Sequence, residues 1–64
     1  MKITIIGCGN MGKGLAERLS ETNQLSLYDR NTEKVERLGN AGYGKAYTDI
    51  EKACAQSEII LLAV

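Results

Sequence analysis

The feature that most constrains this chain is the run Gly7-Cys8-Gly9-Asn10-Met11-Gly12. It directly follows the apolar stretch Ile3-Thr4-Ile5-Ile6 and directly precedes Leu15, Ala16 and Leu19 at helical spacing. Its three glycines answer three different steric demands. Gly7 permits a tight turn off a strand, Gly9 lets backbone approach a pyrophosphate, and Gly12 lets the helix pack close to the strand. The N–H groups of residues 9 to 12 have no acceptor inside the helix and lie at the positive end of its dipole, the geometry that receives phosphate. The dipole is worth only ~0.3–2 kcal/mol, so the donors and the fit matter as much as the field. Seven of the 64 residues are glycine, so the triplet alone is weak evidence. The strand before it, the helix after it and Asp29 about 20 residues further on give it weight.

The rest of the chain alternates between the two periodicities of regular structure. Lys2–Ile6 reads as a strand apolar on both sides, as in the middle of a parallel sheet. Residues 10–20 read as a helix burying Met11, Leu15, Ala16 and Leu19. Gln24–Tyr28 is a strand with Leu25 and Leu27 on one face, and Asp29 ends it. A second helix starts near Asn31 or Thr32, either of which can cap it, and buries Val35 and Leu38. Residues 39–42, Gly-Asn-Ala-Gly, end that helix. Residues 43–47 form a short third strand. Thr48-Asp49-Ile50-Glu51 has the capping-box pattern and opens a helix with Ile50, Ala53 and Cys54 on one face. Residues 58–64 form a fourth strand. This alternation predicts an α/β fold, a Rossmann-type doubly wound parallel sheet of order 3-2-1-4 with right-handed crossovers. The first and fourth strands flank the switch point where ligands bind. Ala63 and Val64, at the end of the fourth strand, therefore join Gly7, Gly9, Asn10, Met11 and Gly12 as expected cofactor contacts.

Size and charge remove several classes of function. Sixty-four residues make at most one small domain, residues 1–64 reading as the N-terminal part of a dinucleotide-binding domain. The final apolar strand has nothing after it, so a longer protein with a further, C-terminal domain is expected. Two cysteines and no histidine offer no metal-ligand set of the usual spacing. Eight basic residues balance eight acidic ones with no basic stripe, which excludes the footprint of a nucleic-acid binder. No stretch approaches the ~20 apolar residues of a membrane span, and the start is too short an apolar run for a signal peptide. Sparse cysteine points to a reducing, cytoplasmic setting.

Asp29 and Arg30 bear on the choice between NAD and NADP. An acidic residue ending the second strand can accept from both ribose hydroxyls and repels a 2′-phosphate, which favours NAD. Arg30 is a planar five-donor cation suited to gripping that phosphate, or it pairs at the surface with Asp29 or Glu33. Both cofactors are expected to bind, with a modest preference for NADPH. Cys8, without a histidine partner, reads as a small filler rather than a nucleophile. Met11 reads as core whose N–H is the functional atom, and Lys13 as a solvated lysine. Tyr28, Tyr43 and Tyr47 read as sheet residues.

The stretches Ile5-Ile6-Gly7-Cys8-Gly9-Asn10-Met11-Gly12-Lys13, Asp29-Arg30, Thr48-Asp49 and Ile59-Ile60-Leu61-Leu62-Ala63-Val64 together resemble the N-terminal half-domain of pyrroline-5-carboxylate reductase. The resemblance implies reduction of 1-pyrroline-5-carboxylate, a cyclic imino acid, to proline by NADPH or NADH. It also implies homo-oligomers built through a C-terminal helical domain and catalytic groups beyond Val64. Two departures bear on the adenosine half of the cofactor. The connection before the second strand is shorter than usual, and Ile50 stands where many members have asparagine. The chain is also similar to 3-hydroxyisobutyrate dehydrogenases, which share Gly-Asn-Met-Gly, and to nucleotide-sensing regulatory domains of potassium-transport systems. Asn10-Met11 and Thr48-Asp49 speak against the last.

Overall fold

Four short parallel strands form one sheet, and their residues show why. The computed structural model describes residues 1–63. The elements run β1 (Lys2–Ile6), α1 (Asn10–Leu19), β2 (Gln24–Tyr28), α2 (Thr32–Asn40), β3 (Lys45–Tyr47), α3 (Ile50–Cys54) and β4 (Ile59–Leu62). The sheet order is β3-β2-β1-β4, the Rossmann-type arrangement the alternation predicts. β1 lies in the middle, pairing Ile3 with Leu25 on one side and with Ile59 on the other.

One face of the sheet carries the core. Ile3, Ile5, Leu25 and Leu27 project every second residue towards α1 and α2, where Ala16, Val35 and Leu38 meet them. The other face is tied by a hydrogen bond rather than by apolar bulk. Thr4 is fully buried, and its hydroxyl donates to Ala53 O of α3 at 2.7 Å and also contacts the Ser57 hydroxyl. A buried hydroxyl without an acceptor would cost about 1–3 kcal/mol, so this bond fixes where α3 sits.

Four local expectations are corrected. Met11 is 63% exposed, while the buried positions of α1 are Gly12 and Ala16, with Leu15 and Leu19 half-buried against them. The close approach at Gly12 rotates the buried stripe so that residue 11, one position round the helix, faces out. The third strand starts at Lys45 rather than residue 43, because Gly44 crosses Leu25 closely, an added Cβ lying 2.7 Å from Leu25 O. The cap of α3 is Asp49, not Thr48. Its carboxylate accepts from Glu51 N at 2.9 Å and Lys52 N at 3.4 Å, adding negative charge at a helix start. With a single turn, α3 buries Ala53 and leaves Ile50 exposed.

β4 ends at Leu62, shorter than residues 58–64, and Val64 lies outside the described residues. Ile60 pairs with Thr4 and Leu62 with Ile6, so both project on the α3 side, where they stay 49% and 69% exposed. Among the described residues, no helix is long and apolar enough to cross a membrane.

Among the described residues no strand pairs with the outer side of β4, so in the isolated chain that edge, beside these exposed side chains, is a template for pairing. The isolated 64-residue chain is therefore expected to melt broadly and to self-associate. Sedimentation velocity should show association falling when Ile60 and Leu62 are both changed to lysine. A monomer with a sharp cooperative melt well above room temperature would contradict this.

Candidate dinucleotide site

The site is built where β1 turns into α1. Gly7 has φ +106°, a left-handed value that costs a side-chain-bearing residue roughly 1–2 kcal/mol, and its N–H donates to Tyr28 O at 2.8 Å. At Gly12 an added Cβ would sit 1.7 Å from Gly7 O, so no other residue fits without moving helix or strand. At Gly9 the opposite holds: nothing lies within 4 Å of an added Cβ. The protein's own packing leaves Gly9 unconstrained, and the open space faces outward from the turn.

The start of α1 differs from the starts of the other two helices. The caps of α2 and α3 are Asn31 and Asp49, and each side chain accepts backbone N–H groups. The cap of α1 is Gly9, with no side-chain cap bond and no acidic residue in the first turn. The first internal bond runs from Lys13 N to Gly9 O at 2.8 Å. The N–H groups of Gly9, Asn10, Met11 and Gly12 thus have no intrahelical acceptor. Orphan amides with open space before them fit an anionic, phosphate-bearing ligand.

A cavity of about 260 Å³ opens beside this turn, lined by Cys8, Gly9, Asn10, Lys13, Lys34, Arg37 and Leu38. Three of its lining residues are cations. Lys34 and Arg37, one helical turn apart on α2, are not among the site residues expected from the sequence. Their i, i+3 spacing was the available signal. Lys13, read as a solvated lysine, also reaches the cavity. A larger groove of about 640 Å³ lies against the first residues of β1, β2 and β3, Lys2, Gln24 and Lys45. It includes no residue of the glycine turn, so the smaller cavity is the one that matters for the dinucleotide.

Asp29 stands at the end of β2, facing the turn. Its Oδ2 accepts from Cys8 N at 2.7 Å and its Oδ1 from Asn31 N at 2.8 Å. These two amides outweigh the opposing effect of burial and, with lesser help from the Lys34 and Arg30 charges, hold its carboxyl below the usual aspartate range. Arg30 itself is exposed and outside the cavity lining. Ala63 is buried, donates its N–H to Ile6 O at 2.8 Å, and lies 3.6 Å from where a Gly12 Cβ would be. The structure thus brings Gly7, Gly9, Asn10, Met11, Gly12, Asp29 and Ala63 to one end of the sheet, whereas Val64 is outside the described residues.

Cys8 is buried in the turn, and its thiol points to Tyr28 O at 3.6 Å. Burial, reinforced by the Asp29 charge, pushes the thiol up to about 11, so it stays protonated at neutral pH. A space-filling role follows. Among the described residues, no group of three or more His, Cys, Asp or Glu could hold a metal ion.

Residues 2–64 match the family model described as NADP oxidoreductase coenzyme F420-dependent. The chain is 36% identical over 74 residues to a glycerol-3-phosphate dehydrogenase [NAD(P)+] of Aster yellows witches'-broom phytoplasma (strain AYWB), and equally so to that of Onion yellows phytoplasma (strain OY-M). Each match covers 100% of this chain and 22% of the relative, so the chain spans about a fifth of the length of the curated relatives it matches. Among solved structures, imine reductase BcSIRED from Bacillus cereus BAG3X2 superposes with a TM-score of 0.87 at 25% identity, over 98% of this chain and 22% of that one. A myo-inositol dehydrogenase from Corynebacterium glutamicum ATCC 13032 superposes with a TM-score of 0.79 at 22% identity, over 100% and 21%, a likeness of fold.

Gly9 and Gly12 should separate in stability measurements. Gly12→Ala is expected to cost about 2 kcal/mol or more through overpacking, lowering the melting temperature by about 10 °C. Gly9→Val should leave the melting temperature within a few degrees. Thermal denaturation of the two variants in the full-length protein checks both.

Proposed function

Because the chain belongs to the family described as NADP oxidoreductase coenzyme F420-dependent, we propose that it is the dinucleotide-binding part of a reductase acting on a carbon–nitrogen double bond. The cofactor is NAD(P), and the preferred substrate reading is 1-pyrroline-5-carboxylate, reduced to proline. The observation that carries the proposal is the uncapped start of α1, with its row of outward amides and the open space before Gly9. The Gly-Cys-Gly-Asn-Met-Gly turn and the closing Leu-Leu-Ala-Val supply the resemblance to pyrroline-5-carboxylate reductases. The likeness to an imine reductase supports C=N as the bond acted on.

The residues present fit a dinucleotide. The amides of residues 9 to 12 would hold the pyrophosphate, and the cations Lys13, Lys34 and Arg37 would balance its charge. Arg30 would meet a 2′-phosphate on the adenosine side, next to Asp29. Ala63, across the switch point, would line the other side of the site, and Val64, outside the described residues, is the further contact expected from the sequence. When bound, NAD(P)H supplies a hydride equivalent. This chain's residues contribute binding and orientation, and the groups that hold the substrate belong to sequence beyond residue 64, in a further domain through which the protein would form oligomers.

A second reading has its own support, because the curated relatives at 36% identity are glycerol-3-phosphate dehydrogenases. Assays of the full-length protein distinguish the two. Cofactor oxidation is expected with 1-pyrroline-5-carboxylate. Turnover of glycerol-3-phosphate with NAD(P)+, and none with the cyclic imine, would move the assignment to the second reading.

Variants test the cofactor part in the same protein. Gly9→Val should weaken both NADH and NADPH at least tenfold, about 1.4 kcal/mol, because its side chain fills the space the pyrophosphate needs. Arg30→Ala should weaken NADPH about tenfold, the loss of a charge-assisted bond, and leave NADH nearly unchanged. Equal weakening of both by Arg30→Ala would make Arg30 a structural residue. Fluorescence titration of the reduced cofactors measures each.

A further inference from the structure

The amides of the glycine turn divide into two sets. From Gly9 onward they begin a helix and face outward, whereas Gly7 N and Cys8 N point back to β2. Gly7 N donates to the Tyr28 carbonyl and Cys8 N to the Asp29 carboxylate. Cys8 lies between two glycines, so the turn has little conformational preference of its own. Cys8 is the residue of the three held by its side chain as well as its backbone: its amide donates to Asp29, its thiol to Tyr28 O, and its side chain is buried. The other oxygen of Asp29 accepts from Asn31 N, and Asn31 is the cap of α2. One carboxylate therefore joins the loop that starts α1 to the loop that starts α2.

We propose that Asp29 is a positioning residue: by holding the Cys8 amide it sets the orientation of the glycine turn, and so governs affinity for NADH and NADPH together rather than selecting between them. This goes beyond the reading of Asp29 as a ribose acceptor and rests on the assignment of the turn as the pyrophosphate site. A carboxylate has about four acceptor sites, of which backbone amides take two here. The remaining sites are open to a ribose hydroxyl, but the two bonds already made exist without any ligand. The cations close enough to act on Asp29 are Lys34 of α2 and Arg30 beside it, and both favour the charged form that accepts these bonds. The tether is therefore in place at neutral pH. It would loosen only in acid, as pH falls below the ordinary aspartate range through the lowered folded value.

The test uses the full-length protein with Asp29→Ala, which removes both acceptors, and Asp29→Asn, which retains one. In Asp29→Ala the dissociation constants of NADH and NADPH should both rise about tenfold, with their ratio preserved. The KM for each cofactor should rise while kcat holds, because the turn grips ground and transition states alike. A general loss of folded protein would lower the active fraction instead. Asp29→Asn should lose less. In the wild-type protein without cofactor, the amide proton resonances of Cys8 and Asn31 should shift together as Asp29 titrates. In Asp29→Asn they should not.

A loss confined to NADH, with NADPH unchanged or tightened, would overturn the proposal and leave Asp29 a ribose ligand. Unchanged affinity for both cofactors in Asp29→Ala would overturn it too, as would a Cys8 amide insensitive to pH. If Asp29→Ala fails to fold, Asp29→Asn and the wild-type titration decide. If neither cofactor binds the wild-type protein, the assignment of the turn fails, while the titration still reports whether the tether exists.

Discussion

The contact on which the rest of this molecule depends is the approach of Gly12 to the carbonyl of Gly7. An added Cβ would lie 1.7 Å from that oxygen, so helix and strand meet with no side chain between them. Several features follow from that one distance. Ala16, one turn further along, is fully buried because α1 is held close against the sheet. Ala63, just after the neighbouring strand, is buried beside Gly12, its Cβ 3.6 Å from where a Gly12 Cβ would lie. The same approach brings the first amides of α1 level with the strand ends, where a ligand can reach them. Packing and ligand access are therefore set by a single absent side chain.

The three helices manage their exposed amides in two ways. Asn31 and Asp49 cap α2 and α3 with their own oxygens, a local solution worth roughly 0.5–2 kcal/mol each. Gly9 offers α1 no such oxygen. Lys13, Lys34 and Arg37 border the same place, so the absence of a cap coincides with an excess of positive charge. Sequences that satisfy every local rule except one commonly break it where a ligand completes the structure. Here the helix most closely packed against β1 is also the one left unfinished at its start.

The sheet order, the strand and helix positions and the three glycine positions were legible because they rest on periodicity and on backbone sterics, both written in consecutive residues. What was not legible depends on how elements are rotated and where side chains reach. Met11 obeys the helical spacing of a core residue, yet the glycine contact turns it outward. Thr48 and Asp49 both suit a cap, and only the path of the chain after β3 decides for Asp49. Lys34 and Arg37 look like any solvated pair on a helix. Their placement beside the turn comes from the packing of α2 on β2. Asp29 was recognised from its distance to Gly7, but its two amide partners appear only once the ends of β1 and β2 are side by side.

The central place of β1 has a consequence for how the chain reaches this form. One neighbour, β2, follows it closely in sequence, whereas the other arrives from the far end: Lys2 and Glu58, bonded beside the start of β1, are separated by 56 positions. Local pairing is entropically inexpensive, and closure over a long intervening stretch is slow. During synthesis the β1–β2–β3 side can assemble while the opposite edge of β1 waits, its row of amides and carbonyls open, for β4 to emerge. Ile3 and Ile5 lie along that waiting edge. The most buried of these four strands is thus the most vulnerable one while the sheet forms, and the interval before β4 docks is when a second nascent chain would compete for its place.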